Sequence, residues 1–255
     1  MITPDGWTVH KPHPAIAVVE VPEWRHYFDL VHEVLASMRQ MVFRGQRKSE
    51  WLLESSLDRL AKKSQRDLGK SEMQEHLTRF RDAVRGRRGA NPPRLDDDHL
   101  WALGQHYGLA TPLLDWTTSP FVAAYFAFVG DGNTKNDSRA VFCLNREMVE
   151  QRCLSLNAED ERLVFFSPES DENSRLLGQN GLFVKIPPKT DIESWVRTYF
   201  PDAKSAVLYK VILPEANRGL SLRDLNRMNI NHLSLFPDLS GASEFCNLDF
   251  HLKGY

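Results

Sequence analysis

The segment from residue 104 to residue 128, GQHYGLATPLLDWTTSPFVAAYFAF, limits the fold of this chain more than any other. It predicts a turn, a buried strand and then a helix. Ser119 is a favourable N-cap and Pro120 a favourable first helical residue, because the N–H that proline lacks is unpaired at that position anyway. A strand that delivers hydroxyl groups to a helix N-terminus can seat a phosphate or another anion. The alternative is a capped core helix with a purely structural role.

The composition favours one globular unit. The chain has 255 residues, of which 42% are hydrophobic, enough for one sizeable core or two small ones. It has no apolar run of about 18 residues, so we expect no membrane span, and its first residues lack the pattern of a signal peptide. The three cysteines are an odd number without CxxC spacing, so we expect a reducing, cytoplasmic location and no zinc ribbon. The net charge is −2, so nucleic-acid binding would need a local basic patch.

Hydrophobic periodicity predicts an α+β fold. An amphipathic helix is expected over residues 23–39, followed by a strand over 41–45 that presents Arg44 at or near its end. Further strands are expected at 140–145, 182–187 and 206–213, and a short helix at 221–230. Residues 238–252 are expected to pack the C-terminus back on the body. We predict a single compact domain over residues 1–255, with a central antiparallel or mixed sheet and an inserted helical region at about 56–107.

Three local features refine this prediction. Ser71 and Gln74 match a capping box, which predicts a helix start at Ser71. Asp96–Asp98 are expected in the first turn of the next helix, which Gly108 ends. The acidic stretch at 159–173 is expected to be a surface loop that borders a cleft.

Motifs of the common enzyme classes are missing from the sequence. It contains no phosphate-binding P-loop, no glycine-rich dinucleotide fingerprint after a strand, and no G-x-S-x-G elbow. The nine histidines are scattered without companion acidic ligands, so we expect no metal site.

Four sequence blocks resemble the FRG domain family, which is named for a Phe-Arg-Gly triplet. The triplet here is Phe43–Gly45, within VFRGQRKSEWLLESSL at residues 42–57. The block at 105–128 is the most specific, and RLLGQNGLF (175–183) and LFPDLSGASEF (235–245) follow in the expected order. Together the blocks cover residues 42–245.

The order of these blocks also resembles the layout of ADP-ribosyltransferases of the arginine–serine–glutamate type. The resemblance implies a related fold, with NAD as substrate. Arg44 would clamp the cofactor phosphates, since a guanidinium is always charged and binds two oxygens at once. Thr117–Ser119 would support the cleft wall, and Tyr125 would pack on a ring of the dinucleotide. The implied cofactor-binding residues are Phe43, Arg44, Gly45, Gln46, His106, Tyr107, Thr111, Asp115, Thr117, Thr118, Ser119 and Tyr125.

The residue that would stabilise the cationic transition state departs from the transferase pattern. Gln179 stands where that pattern has glutamate, and it offers a dipole instead of a charge. Glu244 and Asp115 are the alternative acids, and with Arg44 the implied catalytic residues are Gln179 and Glu244. Three possibilities stay open: a weak transferase, a transferase that uses another acid, and a binding module that has lost the reaction.

A basic stretch at residues 79–94, RFRDAVRGRRGANPPR, could contact nucleic acid. Arg81, Arg85 and Arg88 would share one helix face, with Arg87 beside them, and such a patch can follow a phosphate backbone. The alternative is a solvated helix end whose cations favour the helix dipole.

Two function hypotheses follow. The first is an NAD-dependent ADP-ribosyltransferase acting on a nucleic acid or a protein, and the resemblance implies a bacterial toxin or phage-defence effector with an antitoxin or chaperone as partner. The second is a non-catalytic FRG recognition module that binds a nucleotide or polymer ligand in the same cleft.

Overall fold

A mixed sheet of eight strands forms the centre of the computed structural model, which describes residues 6–35, 40–89, 91–130, 137–168 and 179–255. The strands are β1 (Thr8–His13), β2 (Ile16–Glu20), β3 (Met41–Gln46), β4 (Leu113–Thr117), β5 (Ser138–Asn145), β6 (Val164–Phe166), β7 (Gly181–Lys185) and β8 (Leu208–Pro214). Their order in the sheet is β1-β2-β8-β5-β3-β4-β7-β6. Strands β2 and β8 are parallel, and every other neighbouring pair is antiparallel.

Ten α-helices accompany the sheet within the described residues. They are α1 (Trp24–Glu33), α2 (Ser56–Lys63), α3 (Lys70–Ala83), α4 (Asp97–His106), α5 (Pro120–Phe128), α6 (Arg146–Leu154), α7 (Ile192–Tyr199), α8 (Arg218–Arg227), α9 (His232–Leu235) and α10 (Leu239–His251). The prediction of an α+β fold built on a mixed sheet with a helical region after β3 is confirmed. None of the described helices is long and apolar enough to cross a membrane.

Three hydrophobic clusters hold these elements together. The first joins α1, α5, α8 and α10 to β3 and β5, with Trp24, Tyr27 and Phe128 among its fully buried side chains. The second includes residues of α6 and α7 and alternate residues of the sheet, such as Val42 and Trp116. The third is the core of α2–α4, which packs on β4 through Leu113. The helical region is therefore attached to the sheet beside the strand that precedes α5.

Strand β3 is paired very differently along its two edges. Six residue pairs join it to β5, from Met41–Asn145 to Gln46–Ala140. On the other edge a single pair, Phe43–Thr117, joins it to β4. Strands β3 and β4 therefore separate beyond Phe43, and the sheet opens along the length of Arg44 to Gln46.

The glycine of the Phe-Arg-Gly triplet allows β3 to lie directly against α5. A Cβ atom at Gly45 would lie 1.9 Å from the carbonyl oxygen of Ala123 and 2.6 Å from the amide nitrogen of Ala127. Any side chain would therefore push the helix away from the strand. Gly45 has a structural role in strand–helix packing, which brings α5 to the edge of the gap.

Local signals predicted most element starts, with some corrections. Ser119 caps α5 and Pro120 begins it, and Asp96 caps α4 as its carboxylate accepts the amide hydrogen of His99. The capping box at Ser71 and Gln74 is wrong, because α3 begins at Lys70 and the Glu72 carboxylate accepts from the Gly69 amide at 2.9 Å.

The acidic stretch is not a loop throughout. Its apolar residues form β6, which pairs with β7 because Val164–Phe166 gain hydrogen bonds and packing there. Helix α1 ends at Glu33, short of the predicted residue 39, and residues 36–39 and 169–173 lie outside the described residues, as does the start of the 175–183 block.

Candidate functional site

A cleft of about 710 Å³ opens where β3 and β4 separate. Strand β3 contributes Phe43 to Gln46, and β4 contributes Asp115 to Thr117. The helical region contributes Gln105 and His106, and α5 contributes Ala123 and Phe126. The remaining lining residues are Arg47, Trp51, Leu52, Glu54, Arg59, Ala102, Gln179, Phe183 and Phe236. Pockets of this size and mixed lining are typical of small-molecule sites.

The Arg44 guanidinium bridges the gap in the sheet. Its Nη1 donates to the backbone carbonyl of Asp115 at 2.6 Å and lies 3.7 Å from the Asp115 carboxylate. Only 19% of the side chain is exposed. Burial lowers the pKa of Arg44 below its ordinary value, Asp115 partly offsets this, and Arg59 lowers the pKa further. The side chain stays cationic, since arginine does not lose its proton in proteins.

A chain of hydrogen bonds holds the Asp115 carboxylate at the cleft. Asp115 is 59% exposed and accepts from the Gln105 carboxamide at 2.7 Å. The buried Thr111 hydroxyl donates to the other end of the Gln105 carboxamide, and the Thr111 amide in turn donates to Ser56 at 2.9 Å. Thr111 thus lies behind the cleft, and its contact fixes the direction of Gln105.

The hydroxyl groups before α5 are used within the protein. Thr117 lines the cleft, but its hydroxyl donates to the Gln179 backbone carbonyl at 2.7 Å. Ser119 accepts the Val122 amide hydrogen at 3.3 Å, as an N-cap does, and does not line the cleft. The exposed Thr118 also lies outside the cleft, and its backbone amide donates to the Asn180 carbonyl. The predicted anion seat at the helix start is therefore a structural cap.

Gln179 reaches the cleft from the chain that precedes β7. Its carboxamide nitrogen donates to the carbonyl of Leu235 at 3.1 Å. Because the Gln179 side-chain nitrogen donates to the Leu235 carbonyl, the side-chain oxygen is the atom that can accept a hydrogen bond from a ligand. This contact joins the loop before β7 to the end of α9 at the cleft wall.

Tyr125 is not a cleft residue, which corrects the predicted contact with a dinucleotide ring. The ring is fully buried, and its hydroxyl lies 2.6 Å from Nδ1 of His232. Burial raises the pKa of this phenol well above its ordinary value. The aromatic wall comes instead from the neighbouring Phe126 and from Phe236, whose ring centroids are 6.0 Å apart in an edge-to-face arrangement.

Three polar atoms on the cleft residues are buried and have no hydrogen-bond partner within the described part of the chain. They are Arg44 Nε, Gln46 Oε1 and Trp116 Nε1. A buried polar atom without a partner costs about 1–3 kcal/mol. All three atoms belong to residues of β3 and β4, the two strands that border the cleft, and each has the capacity for one more hydrogen bond.

The sequence prediction missed several cleft residues on the approach to α2. Glu54 forms an ion pair with Lys62 through its carboxylate. The backbone carbonyl of Glu54 accepts a hydrogen bond from the Arg59 guanidinium at 2.7 Å. Trp51 is 45% exposed, and the Arg47 guanidinium lies 5.7 Å from its ring centroid. A signal for four of them was present, because Arg47, Trp51, Leu52 and Glu54 stand inside the block at 42–57.

Other predicted residues lie away from the cleft. Glu244 is exposed on α10, and Tyr107 is 76% exposed at the end of α4, so neither lines the cleft. Within the described residues no three His, Cys, Asp or Glu side chains form a group that could hold a metal ion.

The basic stretch is also separate from the cleft, and part of its charge is compensated. Arg81 pairs with Asp97 at 2.5 Å, and Arg85 pairs with Asp82 at 2.8 Å. Arg87 and Arg88 donate to the backbone carbonyls of Ala83 and Pro93.

A family model of the FRG domain matches residues 39–137. The match contains the Phe43–Gly45 triplet and runs through α5, so it includes both strands of the β3–β4 gap. Over these residues the chain is similar to FRG domains. The blocks at 175–183 and 235–245 lie beyond the matched residues. No curated protein and no solved structure matches the chain.

Proposed function

We propose that the cleft of this FRG domain binds NAD and that the protein transfers ADP-ribose to a nucleic-acid or protein acceptor. The observation that supports this proposal best is the meeting of Arg44, Asp115 and Gln179 in one cleft. These residues are a cation, an exposed carboxylate and an amide. A ligand with phosphates, ribose hydroxyls and flat rings carries groups that each of them can contact.

Arg44 is the residue that would hold the pyrophosphate. Its guanidinium is four-fifths buried and fixed in direction by the Asp115 carbonyl. An anion would relieve the electrostatic repulsion from Arg59, which lines the same cleft. Charge-assisted hydrogen bonds between arginine and phosphate are about twice as strong as neutral ones.

Asp115 is the carboxylate that fits the reaction. Transfer breaks the bond between the ribose and nicotinamide, forms a bond from the same carbon to the acceptor nucleophile, and passes the nucleophile's proton to solvent. Nicotinamide leaves as a neutral molecule, and positive charge develops on the ribose before the new bond is complete. A held carboxylate stabilises that charge, and Asp115 lines the cleft whereas Glu244 does not.

A non-catalytic recognition module is the second candidate. Both Asp115 oxygens already face protein groups, one at 2.7 Å from Gln105 and the other at 3.7 Å from Arg44. Gln179 supplies only a dipole. Such a cleft would bind the same ligand without accelerating cleavage of the nicotinamide bond.

Incubation with NAD labelled in the adenosine half, together with RNA, DNA or a protein lysate, distinguishes the candidates. We expect label transfer and nicotinamide release by the wild-type protein and none by Arg44→Ala. Arg25→Ala, on the exposed surface of α1, serves as the matched control and retains activity. Binding without nicotinamide release supports the recognition module. Absence of binding at millimolar NAD contradicts the transferase and leaves a module that binds another nucleotide or a polymer.

A nucleic-acid acceptor would involve the basic stretch around Arg85 and Arg88. We expect Arg85→Glu with Arg88→Glu to weaken RNA or DNA binding, and more so at low salt than at high salt. Equal loss at both salt concentrations contradicts an electrostatic contact and leaves a protein as the acceptor.

The toxin or phage-defence role, with its antitoxin or chaperone, stays a prediction of the resemblance. Induced expression in a bacterial host tests it: we expect growth arrest with wild-type protein and normal growth with Arg44→Ala. Normal growth with both, at equal protein levels, contradicts toxicity.

A further inference from the structure

Two buried polar atoms belong to β3 side chains that line the cleft, and their hydrogen-bonding roles are complementary. They are Arg44 Nε, a donor, and Gln46 Oε1, an acceptor, and neither has a hydrogen-bond partner among the described residues. We call them the two open atoms. Both belong to side chains that line the cleft, and the Gln46 side chain is 93% buried, since only 7% is exposed.

The orientation of the Gln46 carboxamide is fixed by its protein contact. Its nitrogen donates to the carbonyl of Leu52 at 3.2 Å. A carbonyl only accepts, so the nitrogen must face Leu52 and the oxygen must be the end without a partner. Arg44 is fixed in the same way, because its Nη1 donates to the Asp115 carbonyl.

The two open atoms belong to neighbouring side chains on one face of β3. Arg44 and Gln46 are two residues apart on β3, so their side chains lie on one face with Cα atoms about 6.6 Å apart. Two hydrogen bonds of about 2.9 Å each, with a flat amide between them, can cover that distance. The matching group offers an N–H to Gln46 and a carbonyl oxygen to Arg44.

We propose that Gln46 Oε1, together with Arg44 Nε, recognises the amide edge of the ligand and so determines its specificity, and that the Nη2 donors of Arg44 are the ones that would meet the pyrophosphate of the proposed function. The group recognised is an N–H beside a C=O. The carboxamide of nicotinamide provides it, and so does the imide edge of a uracil base. The nicotinamide arm rests on the proposed function, and the uracil arm does not.

The decisive comparison uses two dinucleotides that differ in this group alone. NAD carries a carboxamide, whereas nicotinic acid adenine dinucleotide carries a carboxylate, which has no N–H and would repel Gln46 Oε1. We expect the wild-type protein to bind NAD at least about 10-fold more tightly than nicotinic acid adenine dinucleotide, as measured by calorimetry. Gln46→Leu should weaken NAD binding about 10- to 100-fold and should change the affinity for nicotinic acid adenine dinucleotide less than about 3-fold.

Controls separate this inference from the proposed function. Gln151→Leu, on the exposed face of α6, removes a glutamine elsewhere and should leave both affinities unchanged. Equal affinity of the wild-type protein for the two dinucleotides overturns the inference while NAD binding stands, and this measurement needs no variant to fold. Discrimination that persists in folded Gln46→Leu also overturns it.

Failure of both dinucleotides to bind contradicts the proposed function, and the uracil arm then decides the inference. Uridine monophosphate is compared with its N3-methyl derivative, which lacks the N–H. Binding of the first alone, lost in Gln46→Leu, supports recognition of an amide edge from a pyrimidine source. Binding of neither, or of both equally, overturns it.

Discussion

The two edges of β3 show how one strand serves both the fold and the site. Along the β5 edge, six consecutive residue pairs complete the hydrogen-bond ladder, and the facing residues Val141, Phe142 and Cys143 are fully buried or nearly so. Along the β4 edge, one pair joins the strands and polar side chains fill the gap. The paired edge has used its backbone groups, whereas the open edge keeps polar groups available to a ligand.

Two buried arginines show the same contrast. Arg139 of β5 is completely buried, forms an ion pair with Glu215 and donates to the carbonyls of Ala127 and Gly130. Arg44 is 19% exposed, and its Nε has no partner among the described residues. A cation with several protein partners stabilises the fold, and one with an open donor is suited to binding.

Removal of Arg139 should have the largest effect on stability. Arg139→Leu leaves Glu215 only 12% exposed without its counter-ion, and breaking such a buried pair costs about 3–5 kcal/mol. Arg44→Leu should cost about 1 kcal/mol, because it removes one hydrogen bond across the gap. Urea unfolding measures both, and an equal cost for the two variants would contradict the contrast.

Gly45→Ala should be next in size. The added methyl group would lie 1.9 Å from the Ala123 carbonyl, and overpacking of this kind costs about 1–3 kcal/mol. Gly219→Ala in α8 is the control, since its nearest neighbour is 3.6 Å away. We expect the control to unfold at the same temperature or slightly above the wild type. A melting temperature for Gly45→Ala that equals that of the control would contradict the close strand–helix contact.

Asp115→Asn tests whether the open edge is catalytic. If Asp115 stabilises the charge on ribose, the amide variant should release nicotinamide about 10- to 100-fold more slowly in single turnover while it binds NAD with similar affinity. Glu244→Gln, on exposed α10, should change neither quantity. A slower rate in Glu244→Gln but not in Asp115→Asn would contradict the prediction and would identify Glu244 as the carboxylate that stabilises the charge.

The smallest predicted effect concerns pH and the contact behind the aromatic wall. Burial lowers the pKa of His232 below its ordinary value, and Glu244 partly offsets this shift. The folded state therefore prefers the neutral imidazole, whose Nδ1 can accept from Tyr125. Its contribution to stability is complete above the unfolded pKa of about 6.5 and decreases as the pH falls below it.

Urea unfolding between pH 7.5 and pH 5 measures this contribution. We expect the wild type to lose stability over that range by more than His232→Asn does, because the variant has no imidazole to protonate. Identical pH profiles of the two proteins would contradict the preference for a neutral His232.

The local features of the fold could be predicted because their causes are local. Ser119 and Pro120 start α5 by capping chemistry, a short apolar run gives β3, and alternating apolar residues give β8. The omission of β6 has a physical reason as well: three residues in an acidic stretch form a strand only because β7 lies beside them.

The candidate site also contains residues that could be predicted from the sequence and residues that could not. Arg44 and Asp115 could be predicted because they stand in family blocks, and both line the cleft. The position of Tyr125 could not, because it is buried in a core built from distant segments and contacts His232, which is 107 residues away in the sequence. Nor could the contact that turns Gln179 toward Leu235 be inferred from either segment alone.

The sequence by itself determined most of the elements, their order and the FRG triplet, since caps, periodicity and glycine requirements act between near neighbours. Only the tertiary structure decided that β3 and β4 separate after Phe43 and that Gln46 keeps an acceptor at the resulting cleft. The reason is that strand pairing and burial are set by contacts between distant segments, which no local pattern specifies.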